Sequence, residues 1–136
     1  MVEIKKYLEE NFEKVNTSLF DNIYTINLNK KNDQIYIVYY PNLINMEEFI
    51  HKFCIYFDNK EINFHCYEIL IIINEDVPYF RGCIEERGIK FFNIMKINNN
   101  EKNIVCGKPY FLQGIRMKKI IKKIKSLTNY SLKFIG

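Results

Sequence analysis

The sequence predicts a single α/β (α+β) domain over residues 1–136, a mixed β-sheet of about five to six strands with about four helices packed on it. Three observations carry this. Segments of helical period alternate along the chain with β-branched, aromatic runs. The run Tyr67–Asn74 is apolar without alternation, as a strand covered on both faces would be. The segment after Gly114 separates isoleucines from lysines at helical spacing.

Ile4, Tyr7, Leu8, Phe12 and Val15 recur at helical spacing between charged residues, which predicts an amphipathic helix over about 2–15. Ile23–Leu28 and Gln34–Tyr40 flank the polar stretch Asn29–Asp33 and read as a hairpin. Asn45 followed by Glu48 has the form of a capping box, with Met46, Phe49, Ile50, Phe53 and Phe57 on one face of a helix over about 45–58. The run at 67–74 is expected to be the central strand. Asp76, Pro78 and Gly88 bracket a further helix over about 77–87. Ile89–Ile97 and Asn103–Gly107 read as strands joined by the turn around Asn98–Lys102. A helix built on Met117, Ile120, Ile121, Ile124 and Leu127 follows, and Tyr130, Leu132 and Phe134 alternate as a final strand.

Composition narrows the function classes. The chain has 23 Ile, 17 Asn and 17 Lys but no Ala or Trp, so spacing is a better guide than residue propensity. With 48% hydrophobic residues and 5 Gly it is a folding sequence, not a disordered or low-complexity one. The absence of a long apolar run and of a secretory-type start predicts a cytoplasmic protein. The four cysteines, Cys54, Cys66, Cys83 and Cys106, form no C-x-x-C pair and are expected to be free thiols. The glycines at 82, 88, 107, 114 and 136 cannot make a phosphate-cradling loop, so no nucleotide cofactor is expected.

The net charge of +4 conceals a division. Residues 1–101 carry 11 basic and 16 acidic side chains, whereas residues 102–136 carry 9 basic and none acidic. Six of those cations, Arg116, Lys118, Lys119, Lys122, Lys123 and Lys125, fall opposite the isoleucine stripe of the last helix and form the candidate binding surface. A protein partner with an acidic face fits such a surface. Phosphate backbones and anionic lipid offer the same charge, but five lysines to one arginine suits nucleic-acid reading less well.

Catalytic and metal readings are weaker. Glu75 and Asp76 follow the expected central strand, where open α/β sheets place ligands, and could hold a hard divalent cation with Glu85 or Glu86. The same two carboxylates can instead be a helix cap and a solvated neighbour. A restriction-type nuclease would want an acidic-x-Lys pattern on a strand; the matches Glu3–Lys5 and Asp58–Lys60 lie on or beside helices. His51, Cys54, His65 and Cys66 have zinc-compatible side chains, but adjacent residues of a strand point to opposite faces, which separates His65 from Cys66. The sequence therefore favours a small non-enzymatic cytoplasmic protein that binds another macromolecule, a protein first, such as an inhibitor of the immunity type that neutralises a toxin or nuclease. A divergent metal-dependent phosphodiesterase and a nucleic-acid-binding module are the alternatives.

Overall fold

The computed structural model describes residues 2–14, 23–27, 34–40, 46–58, 67–74, 92–107 and 114–135. These comprise α1 (Val2–Asn11), β1 (Glu13–Lys14), β2 (Ile23–Asn27), β3 (Gln34–Tyr40), α2 (Met46–Asp58), β4 (Tyr67–Ile73), β5 (Phe92–Asn98), β6 (Asn103–Gly107), α3 (Gly114–Thr128) and β7 (Ser131–Ile135). The fold class is mixed α/β, as the sequence predicts. The helix expected over about 77–87 lies outside the described residues, which hold three helices.

The strands form one sheet in chain order, β1 to β7. The expected hairpin is present, with β2 antiparallel to β3 from Ile23↔Val38 to Asn27↔Gln34. From there β3, β4 and β5 run parallel, β6 returns antiparallel to β5, and β7 lies parallel to β6. Parallel neighbours need crossover connections, and α2 and α3 lie in two of them, between β3 and β4 and between β6 and β7. The β5–β6 turn is tight. The Asn98 side-chain oxygen accepts hydrogen bonds from the Asn100 and Glu101 amides at 3.0 Å each, and Lys102 takes a left-handed φ of 52°.

Strand alternation divides the core between the two faces. On one face Ile35, Ile37, Tyr39, Leu70, Ile72, Met95, Ile97, Ile104 and Cys106 pack with Ile4 and Leu8 of α1 and with Met117, Ile120, Ile121 and Ile124 of α3. The other face buries Tyr36, Val38, Ile69, Ile71, Ile73 and Phe92. There Phe49 of α2 meets Tyr40 edge-on with ring centroids 5.0 Å apart. In β4 every residue from Ile69 to Ile73 is buried, which explains why its sequence shows no polar alternation.

One boundary differs from expectation. The first helix stops at Asn11, and Glu13–Lys14 forms a short strand paired to Tyr24 and Thr25 of β2. The Asn11 side-chain amide donates to the Tyr7 carbonyl at 2.9 Å, the Phe12 amide donates to the Leu8 carbonyl at 3.0 Å, and the Phe12 ring stands edge-on to Tyr7 at 5.9 Å. Phe12 thus reaches the core from just past the helix end, at a spacing that a longer helix would also have given.

Candidate functional site

The last helix is a two-sided object. At about 100° per residue, Met117, Ile120, Ile121 and Ile124 occupy an arc of roughly 100°, and all four are buried. The six cations occupy the opposite half of the circumference. Arg116, Lys118, Lys119, Lys122 and Lys123 are exposed and Lys125 is half-buried. Nine residue steps separate Arg116 from Lys125, so six positive charges lie along about 14 Å of helix axis. The structure therefore gathers every residue of the sequence-predicted cationic surface on one rigid face.

Among the described residues no ion pair compensates that face. Among the described residues the ion pairs are Lys6 with Glu10 at 3.9 Å and Lys52 with Glu48 at 2.8 Å, each within its own helix, and neither involves α3. The first turn of α3 carries no acidic residue. Arg116–Lys119, Lys118–Lys122, Lys119–Lys122, Lys119–Lys123 and Lys122–Lys125 are like-charge neighbours at three or four residues' spacing. Together they cost about 1–2 kcal/mol at low salt. The buried stripe offsets this, and a bound polyanion would relieve it.

The helix ends in a defined way. Asn129 takes a left-handed φ of 58°, and its amide donates to the Lys125 carbonyl at 2.9 Å. The Thr128 hydroxyl also donates to that carbonyl at 2.9 Å and accepts from the Tyr130 amide at 3.2 Å. The Tyr130 hydroxyl reaches the Asn99 side-chain oxygen in the β5–β6 turn at 3.0 Å, which ties the exit of α3 to the sheet.

A further basic residue, Lys133, is exposed on β7. The sequence signalled it only as the polar position of an alternating strand; its place at the edge of the sheet depends on strand order.

The remaining candidates do not converge. Glu75, Asp76, Glu85 and Glu86 lie outside the described residues, as do His65 and Cys66. His51 is exposed on α2, and Cys106 is buried in the core outside any disulfide. Among the described residues no group of three or more His, Cys, Asp or Glu side chains could hold a metal ion, and no helix is long and apolar enough to cross a membrane. Among the described residues two titrating groups respond to their surroundings. The hydrogen bond from Lys52, reinforced by its charge, lowers the Glu48 carboxyl below the ordinary glutamate range, and burial raises the Tyr7 phenol above its ordinary range. Both lie away from α3 in sequence.

Comparison with protein-family models, with curated proteins and with solved structures finds no match. The side chains themselves are therefore the ground for function.

Proposed function

We propose that this chain is a non-enzymatic cytoplasmic binding protein that engages an acidic macromolecular partner, a protein, through the outer face of α3. One observation carries the reading: six cations, five exposed and one half-buried, share one helix face anchored by a buried stripe and without an ion-pair partner among the described residues. A surface of this kind gains most from a partner that presents carboxylates along a matching length, because each new pair also relieves repulsion among the lysines. An inhibitor of the immunity type, masking an acidic face of a toxin or nuclease, is the narrower form of the same reading.

The test compares three anionic probes at matched salt: an oligoglutamate peptide, a short DNA duplex and vesicles containing phosphatidylserine. Each is measured against the natural chain and against the quadruple variant Lys118→Gln, Lys119→Gln, Lys122→Gln, Lys123→Gln. Oligoglutamate binding that weakens at least about tenfold in the variant supports the reading. Preference for the duplex, with a salt slope that flattens in the variant, replaces it with nucleic-acid binding. Equal binding by both chains removes α3 from function.

A further inference from the structure

The two edges of the sheet are unlike. At one end β1 is a two-residue strand, Glu13–Lys14, with both side chains exposed. Such an edge is too short and too charged to accept another strand. At the other end β7 is five residues long, and among the described residues no strand pairs with its outer side.

The register of β7 fixes what that outer side offers. The Ser131 amide donates inward to the Lys102 carbonyl at 3.3 Å, and Ser131, Lys133 and Ile135 stand opposite Asn103, Val105 and Gly107. Main-chain groups alternate sides along a strand, so the N–H and C=O of Leu132 and of Phe134 face outward. Their side chains are half-buried beside the core, while Ser131, Lys133 and Ile135 are exposed on the opposite face, Ile135 to 50%.

We infer that β7 is a receptor edge to which a protein partner adds an extended acidic segment as an eighth strand. This rests on the reading of the chain as a binder of an acidic protein, and it names the mode of binding. Two features select that occupant. The outward groups are two donors and two acceptors in alternation, which a polypeptide strand satisfies in full and a phosphate backbone, lacking regular donors, does not. An antiparallel strand bonded to Leu132 and Phe134 places its intervening residue directly opposite Lys133, in the closer type of cross-strand pair. Glu or Asp there is favoured, with apolar residues on either side continuing the row of Leu132 and Phe134. A second copy of this chain is disfavoured by the same geometry. In the register that satisfies all four outward groups, Lys133 faces Lys133 of the other copy. The surrounding field agrees, since residues 102–136 contain 9 basic and no acidic side chains.

The probe is a capped peptide of about ten residues alternating valine and glutamate, a length that spans an edge strand. Its control alternates glycine and glutamate, with equal charge but poor strand propensity. Titration calorimetry should show the valine peptide binding about tenfold more tightly than the control. Amide exchange at Leu132 and Phe134 should slow by a similar factor on binding. Lys133→Glu, a substitution at an exposed site, should weaken the valine peptide by about tenfold, and Lys133→Gln should fall between. Circular dichroism checks that both variants remain folded.

Equal affinity of the two peptides, lost in the quadruple α3 variant and unaltered by Lys133→Glu, overturns strand addition while leaving the charge reading intact. Binding without slowed exchange at Leu132 and Phe134 does the same. If neither peptide binds, strand addition is overturned, and the reading of α3 is then decided by the oligoglutamate comparison. A dimer in sedimentation that Lys133→Glu alters would replace the acidic strand with a second copy.

Discussion

Replacing Ile121 by Ala tests whether the last helix is held by its apolar stripe. Ile121 has no exposed surface and sits among Met117, Ile120 and Ile124 against the sheet. The substitution removes three carbons beyond Cβ, worth about 2.4 kcal/mol at roughly 0.8 kcal/mol each. The void left behind adds about 1–1.5 kcal/mol if the site relaxes only partly, and the better helix propensity of Ala returns about 0.4 kcal/mol. The net loss is about 3–4 kcal/mol, a large share of the roughly 5–15 kcal/mol that holds a typical domain together. Tm should fall by about 10 °C. Its neighbour Lys122 is exposed and has like charges at Lys118, Lys119 and Lys125, so Lys122→Ala should leave stability within about 0.5 kcal/mol or raise it slightly. Urea unfolding of both variants, followed by circular dichroism, gives the two midpoints, and unchanged m-values show that the same structure is being lost. A cost below about 1 kcal/mol for Ile121→Ala, or one equal to that of Lys122→Ala, would mean that the helix is not docked as described.

Other outcomes follow from local geometry. Lys102, with φ of 52°, and Asn129, with φ of 58°, both sit where a Cβ is crowded. Lys102→Gly should therefore stabilise by up to about 1 kcal/mol, whereas Asn129→Val should cost about 1–2 kcal/mol, both readable from thermal unfolding. Because Lys52 lowers the folded-state pKa of Glu48, their pair stabilises above the ordinary glutamate range and is lost as pH falls through the folded value. Lys52→Met should flatten that acid-side decline in a Tm–pH series. Tyr7 behaves oppositely. Its folded-state pKa is raised, so its contribution is full below the free phenol range and lost as pH climbs past it, and Tyr7→Phe should remove that part of the alkaline loss.

Much of this architecture was readable because burial imposes a period. The terminal helix declared itself through isoleucines and lysines kept on opposite arcs, and the same segregation revealed its cationic surface. Gln34–Tyr40 was legible as a β-branched and aromatic run, and Asn103–Gly107 as a short strand after the polar turn at Asn98–Lys102. The first helix was overextended because Phe12 lies four residues after Leu8, a spacing shared by a continuing helix and by a chain that merely folds back onto the core. The strand Glu13–Lys14 carried no signal, since its pairing uses main-chain atoms and its two exposed side chains take no part in the core. Lys133 was visible as a polar strand position, but its standing at the end of the described strand order depends on β7 joining β6 from outside. That relation spans non-adjacent segments and leaves no periodic trace.

The contact between α1 and α3 also bears on how the chain matures. Ile4 and Leu8 share a core with Ile121 and Ile124, so the seat of α1 is complete only after about a hundred further residues have been made. At ordinary synthesis rates that is about 5–20 s of exposed grease. For that interval the core around α1 lacks the wall that Ile121 and Ile124 supply.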